Sequence, residues 1–420
     1  MKYFKHNQLL KKFLFLFPVF ILLQMVCLNA SEVKNLYYPH TIIGISSDQS
    51  FPNFIKDDEM SSPKSVQFSL NDTSFYIQAL EGSKTLVYSF PKIRKVNSIK
   101  HHFDSKVQDF YSNNYRNHFF KYPDASIDWN GKPVEAVLDE SRGLLYVSSY
   151  RRDNDNRVIF GSTLSIIDTS TNKMIGSLPT SSIPKVLSLS NDKNLLSVTN
   201  WGDNSITIWD VSSAPNKIKL KNHIQVASEI DQKRIEPSDK DSSCGFCLRG
   251  TTFTNDDKFI MISGMKSGGV LFMLDTTTSK ISKINVPFLP IRHIVASKKL
   301  KKYFFSTTGE GSICTVTENG IKDGLKNGLI NKNDIQCRKT NSPIRTIDIS
   351  EENGIGVATM NQSCEISIFK LDTLQELQKL PAPCYPVGLT FSSNGNAIIV
   401  TAQGKQGEGG HKVGIYYKKQ

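Results

Sequence analysis

Between positions 183 and 211 the chain reads IPKVLSLSNDKNLLSVTNWGDNSITIWDV. Apolar and polar residues alternate with period two in VLSLS and SITIWD, so each run can bury one face and wet the other. The clusters Asn-Asp-Lys-Asn and Gly-Asp-Asn between the runs are built of residues that tolerate tight turns. The stretch predicts a three-stranded antiparallel meander. Alone, it is too small to cover both of its faces.

The same order recurs along the chain. Aligned on the short polar residue that closes the first strand, seven copies begin at 63–69 (PKSVQFS), 133–139 (PVEAVLD), 184–190 (PKVLSLS), 248–254 (LRGTTFT), 291–297 (IRHIVAS), 344–350 (IRTIDIS) and 386–392 (PVGLTFS). Each runs through a turn (NDTS, ESRG, NDKN, NDDK, KKLK, EENG, SNGN) into an apolar second strand such as LLYVSS or AIIVTA. A third strand tends to end in an acidic-Thr or Val-Ser turn, as in IIDTST, IWDVSS and FMLDTT. Self-similarity at about 40–50 residues, with several short strands per unit, predicts an all-β, seven-bladed β-propeller of four-stranded antiparallel blades. Solenoid units are usually shorter or helical. The last copy stops at its third strand, 411–419 (HKVGIYYKK), whereas the apolar run 41–45 (TIIGI) precedes the first copy without a partner. That N-terminal run is expected to supply the missing fourth strand and so protect an open edge.

The pattern of a blade-opening proline, a Ser-x-Asp/Asn turn, a Leu-Tyr-Val-Thr-Asn-like strand and a closing Ile-Asp-Thr resembles the YVTN-type β-propeller repeats of bacterial exported proteins, a lactonase-like and WD40-like group. LYVSS at 145–149 and LSVTN at 196–200 come closest to the tetrapeptide that names it. The resemblance spans roughly 62–417. It implies the fold and leaves the activity open, because the related propellers include lactonases, haem-d1 domains and plain binding scaffolds.

Residues 1–12 carry Lys2, Lys5, Lys11 and Lys12 and no acid, 13–26 are apolar apart from Pro18 and Gln24, and Leu28-Asn29-Ala30 can precede a cleavage. This three-part design predicts a signal peptide over 1–30 and a single propeller over 31–420. The apolar run is short for a membrane span, which needs about 20 residues. No transmembrane segment is expected after cleavage. Cys27 follows Val26 rather than a small residue, which argues against a lipoprotein. The expected location is therefore the periplasm, the outer surface or the medium.

Removing 1–30 lowers the formal charge from +12 to +8. With 51 Lys and Arg against 39 Asp and Glu the surface is mixed, and nucleic acid is not an expected partner behind a secretion signal. A protein, a glycan or another anionic envelope or extracellular component fits better, with the chain itself a monomer. Six cysteines remain after Cys27, an even number that favours disulfides in an exported chain. Cys314 and Cys337, and Cys364 and Cys384, fall where third and fourth strands of units five and six should meet. Cys244 and Cys247 are then left as a local clip; no helix start or thioredoxin-like pattern surrounds CGFC.

Two connections, about 97–132 and 212–243, are longer than the rest. The first contains His101, His102 and His118 among aromatics, without carboxylates at ligand spacing, and reads as a wet loop rather than a metal site. No metal and no cofactor is expected. There is no G-x-S-x-G, Walker loop, HExxH or dinucleotide fingerprint. The glycine-rich 404–410 lies between two strands and reads as a flexible turn.

Candidate chemistry lies at one repeat position. Five residues before the aligned closing residue stand Lys64, Val134, Lys185, Arg249, Arg292, Arg345 and Val387, so five of seven are cationic against one residue in eight for the chain. The innermost strand of each propeller blade runs along the central channel. The five cations, with His293 beside them, are therefore expected to converge on one mouth, rimmed by 150–162 and 402–412. Glu135 and Asp348 lie close enough along their strands to offset part of the charge. The alternative is that the first strand of a blade accepts any polar residue and the clustering is chance. These features predict an exported binding module that takes an anionic group at the mouth, more in keeping with a non-enzyme. Pro290-Ile291-Arg292-His293 resembles the Pro-Arg-His start of lactonase-type blades, so a lactonase-type hydrolase is one alternative; a haem-d1-like cofactor propeller is the second.

Overall fold

The computed structural model describes residues 36–419 except 105, 108–118, 120–127, 154–160, 228–243, 267, 288, 289, 308, 310 and 406–408. The signal peptide expected at 1–30, Cys27 and His118 lie outside the described residues.

Seven antiparallel sheets follow one another along the chain as seven blades. The aligned segments form their inner strands: Pro63–Phe68, Trp129–Asp139, Pro184–Leu189, Leu248–Phe253, Ile291–Ser297, Ile344–Ser350 and Pro386–Phe391. The repeat's closing hydroxyl has a local cause. In five blades the Ser or Thr side chain accepts the backbone N–H at or near the start of the next strand: Ser69 from Ser74, Ser190 from Leu195, Thr254 from Phe259, Ser297 from Leu300 and Ser392 from Ala397, at 2.9–3.1 Å. Each hairpin then places one residue in the left-handed region, as at Asp72 (φ 51°) and Gly395 (φ 66°). This is why Asp, Asn, Lys and Gly fill these turns.

The ring closes as expected. Tyr37–Gly44 pairs antiparallel with Lys412–Lys418, setting Ile42 opposite Gly414 and Ile43 opposite Val413. Ile42 joins the apolar cluster shared with Ile366 and Ile368 of the sixth blade, while Ile43 joins Val66, Phe75 and Leu86 of the first. A strand buried on both faces explains why this run is apolar rather than alternating. A short parallel strand, Asn53–Lys56, extends the seventh blade outward. The core lies between adjacent blades rather than at the centre, which leaves the axis free for polar side chains.

Sequence patterning missed the short strand Asn53–Lys56 as well as the helix Glu318–Asn327, inserted between the third and fourth strands of the fifth blade. Thr317 caps it by accepting the Gly320 N–H, and Gly328 ends it at φ 71°. Its buried face, Gly320, Ile321 and Gly324, joins Ile284 of the fourth blade. Within the two long connections, Arg94–Lys100 and Lys217–Gln225 are the outer strands of the first and third blades. His101 does not lie in a wet loop. It is fully buried, with Nε2 2.7 Å from Thr85 Oγ1 and Nδ1 2.7 Å from Ser165 Oγ, and so ties the first blade to the second. No helix among the described residues is long and apolar enough to cross a membrane.

The cysteines pair as Cys244–Cys247, Cys314–Cys337 and Cys364–Cys384. Cys314 and Cys337 are direct cross-strand partners, with Cα atoms 4.1 Å apart. A bridge closing a loop of this length contributes about 3 kcal/mol by limiting the unfolded chain. Replacing both cysteines by serine is expected to lower the urea midpoint by an equivalent amount. An unchanged midpoint would show that the bridge carries no stability.

Candidate functional site: a cationic channel mouth

In every blade the inner strand slips register next to its start. Pro63 pairs with Ala79 and Val66 with Ile77, so Lys64 and Ser65 stand against the single residue Gln78. The same count sets Lys185 and Val186 against Thr199, Arg249 and Gly250 against Ser263, and Arg345 and Thr346 against Thr359. Val134, Arg292 and Val387 are single extra residues at the equivalent place. A bulge bends its strand and re-aims the side chain it carries. The repeat position found in the sequence is thus the bulge position of each blade.

The bulged backbone is pinned from the preceding blade. Ser148 Oγ donates to the Lys185 carbonyl (2.9 Å), Thr199 Oγ1 to that of Arg249 (2.9 Å) and Thr401 Oγ1 to that of Lys64 (3.0 Å). Gly388 allows the last of these approaches, since a Cβ there would lie 2.4 Å from the Lys64 carbonyl oxygen. Lys64, Lys185 and Arg249 are therefore mounted on fixed backbone.

Lys64, Lys185, Arg249, Arg292 and Arg345 line a single cavity of about 710 Å³. The expected convergence is realised, and the wall adds residues not singled out from the sequence. Lys132 pairs with Glu81 at 2.7 Å, and Arg151 donates to the Tyr150 hydroxyl at 2.6 Å. Lys185 Nζ sits 3.7 Å from the centre of the Tyr150 ring and 5.0 Å from that of Trp201. These two rings face the ammonium with their negative π-surfaces and hold it at the wall. Tyr150 and Gln403, at the starts of the two expected rim connections, line the mouth, while 154–160 and 406–408 lie outside the described residues. Cys247 brings the Cys244–Cys247 bridge to the same wall.

The compensating carboxylates behave differently from one another. Glu135 pairs with Arg249 at 3.4 Å. Burial raises its carboxyl above the usual range, while Arg249, Lys64, Lys185 and Arg292 pull it back. Asp348 does not reach the cations. Its carboxylate accepts the N–H groups of Ile349 (2.9 Å) and Phe391 (3.0 Å), stitching the sixth blade to the seventh, and burial lifts it to about 6. His293 does not line the cavity; burial, then Arg249 and Arg292, lower it to about 4. The Arg292–His293 pair that a lactonase-type hydrolase would use is thus not side by side at the wall. Among the described residues, no cluster of His, Cys, Asp or Glu could hold a metal ion.

The remaining cations are weakly compensated. Lys64 donates to Gln403, and burial followed by repulsion from Arg345, Arg249 and Arg292 drives its ammonium well below the usual lysine range. Arg292 is 6% exposed and donates to the Met265 sulfur at 3.3 Å. Burial, reinforced by Arg249 and Arg345, lowers its guanidinium strongly, and burial with Arg249 brings Arg345 to about 10. Among the described residues no carboxylate lies within 4 Å of the basic groups of Lys64, Arg292 or Arg345. The Nε atoms of Arg249, Arg292 and Arg345 are buried without a hydrogen-bond partner among the described residues. A buried donor left unpaired costs about 1–3 kcal/mol, and a charged one more. The wall of this cavity is thus strongly basic, with one carboxylate pair, Arg249–Glu135, among its five bulge cations in the described residues.

No family model and no curated protein matches the sequence. Among solved structures, the chain is similar to the crystal structure of the Cps50 (Swd1) β-propeller domain of Myceliophteria thermophila, with a TM-score of 0.58 and 8% identity, over 85% of this chain and 96% of that one. At that identity the likeness is one of fold, and the fold it shares is the β-propeller.

Proposed function

We propose that this chain is an exported propeller that binds an anionic group of a partner at its channel mouth. One observation carries the reading: five cations, each on the bulge of a different blade, line one cavity, and three of them have no carboxylate partner among the described residues. Like charges are brought together at a cost in desolvation and repulsion, and an anionic ligand would relieve both. Three disulfides and the signal-like residues 1–30 support an oxidising, extracytoplasmic setting. The YVTN-type resemblance supports the same setting. The partner is a protein, a glycan or another anionic envelope or extracellular component, bound by a monomer.

The test is the triple change Arg249→Ala, Arg292→Ala and Arg345→Ala in the mature chain, assayed by retention on immobilised envelope and extracellular fractions across salt. Wild-type retention should fall steeply with salt, whereas the variant should bind weakly with a flattened salt dependence. Its stability should stay near that of the wild type, because removing the crowded charges of Arg292 and Arg345 offsets the loss of the Arg249–Glu135 pair. Equal retention by both proteins at every salt concentration would place the binding surface elsewhere.

A further inference from the structure

Resting on that reading, we infer that the group bound at the mouth is a tetrahedral oxyanion, the terminal phosphate or sulfate of an ester, rather than a carboxylate. The ground is the arrangement of the three arginines. Arg249, Arg292 and Arg345 stand on the inner strands of the fourth, fifth and sixth blades, consecutive in the ring, each at the bulge. Successive blades are turned by about one-seventh of a revolution, so the three arginines reach the shared cavity from three successive directions around the ring. A carboxylate has two oxygens in one plane and is matched by one or two forks approaching in that plane. A phosphate or sulfate monoester has three terminal oxygens spread around its own axis, and its fourth bond can leave through the open mouth toward the rest of the ligand.

The donors point the same way. All three Nε–H groups are buried and unpartnered among the described residues, and Arg249 and Arg292 are each 6% exposed. Among the described residues the three guanidinium groups make two side-chain contacts, Arg249 to Glu135 and Arg292 to the Met265 sulfur, so most of their N–H donors remain for the oxygens of a bound group. Lys185, on the third blade, and Lys64, on the first, lie on either side of the arginine arc and add positive charge that favours an anionic ester. Glu135 offsets one charge of the set, at Arg249.

The experiment measures thermal unfolding of the mature chain while inorganic phosphate, inorganic sulfate or acetate is titrated at constant ionic strength. Phosphate or sulfate should raise the midpoint along a saturating curve, and acetate should not. A response to phosphate alone identifies a phosphate ester, to sulfate alone a sulfate ester, and to both a site reading shape and charge. The double change Arg292→Met and Arg345→Met keeps the volume apolar and should abolish the saturating rise. The non-saturating stabilisation that sulfate gives any protein by exclusion from its surface should remain. Arg345→Lys retains the charge and loses the fork, and should weaken the response by roughly tenfold; it also serves if the double variant fails to fold. A response to acetate equal to or stronger than that to phosphate and sulfate overturns the tetrahedral assignment and leaves an anion site standing. No saturating response to any of the three anions, or an undiminished one in both variants, overturns both.

Discussion

A chain lacking residues 31–50 is expected to lose its cooperative fold and to aggregate. Tyr37, Ile42 and Ile43 of the closing strand are all fully buried. Returning three such side chains to water costs roughly 6 kcal/mol from burial alone. The deletion also removes the ladder to Lys412–Lys418 and leaves that strand as an exposed edge, open to pairing with another chain. It further breaks the clamp in which Gln378 accepts the Tyr37 N–H at 2.9 Å and donates to the Tyr37 carbonyl at 2.8 Å, joining the closing strand to the sixth blade. Against a total stability of about 5–15 kcal/mol, losses of this size leave little native protein. The milder Ile43→Ala should lower stability by about 2–5 kcal/mol. Urea unfolding with light scattering reads both changes. A deletion protein with the wild-type midpoint and no aggregation would show that the closing strand is dispensable.

The second large effect is acid destabilisation centred on two buried histidines. Burial lowers His101 to about 3 and His293 to about 4, from the ordinary 6.5. Below pH 6.5 the unfolded chain takes up protons that the folded chain refuses, so stability is full above that pH and falls as the solution is acidified toward these values. By pH 4 the two together cost roughly 6 kcal/mol. Asp348 acts in the opposite direction. Its folded value of about 6 lies above its unfolded 3.8, so acidification through that window relieves a buried charge and offsets roughly 2 kcal/mol. The net expectation is a loss of about 4 kcal/mol between pH 7 and pH 4, read from urea midpoints across pH. His101→Gln should flatten the acid limb. A flat profile in the wild type would show that both histidines are already protonated in the native state, or have a path to water.

The fold was legible because its signals are local and repeated. In five of the seven units the closing Ser or Thr bonds the N–H at or near the start of the next strand, so the residue used for alignment is one those hairpins physically require. The closing strand was legible from bookkeeping: a blade short of one strand and an apolar run without a partner. The cation ring was legible because one repeat position held it, although the bulge that aims it leaves no mark in composition. Other features depend on distant partners. Asp348 and Glu135 look alike in sequence, yet one binds the Phe391 backbone and the other reaches Arg249. Tyr150 and Trp201 gain meaning only when adjacent blades bring both rings to Lys185. His101 looked exposed because its hydroxyl partners, Thr85 and Ser165, lie in two different blades. The helix Glu318–Asn327 was masked by its own glycines, Gly320 and Gly324, which are weak helix formers kept small against Asp334 and Ile284.

The most direct test of the cationic mouth as an anion site is to crystallise the mature chain, soak it with selenate and collect at the selenium edge. The predicted result is an anomalous peak on the channel axis, with selenate oxygens within hydrogen-bond reach of the guanidinium groups of Arg249, Arg292 and Arg345. An empty mouth at saturating selenate, with peaks confined to other lysines and arginines, would contradict it.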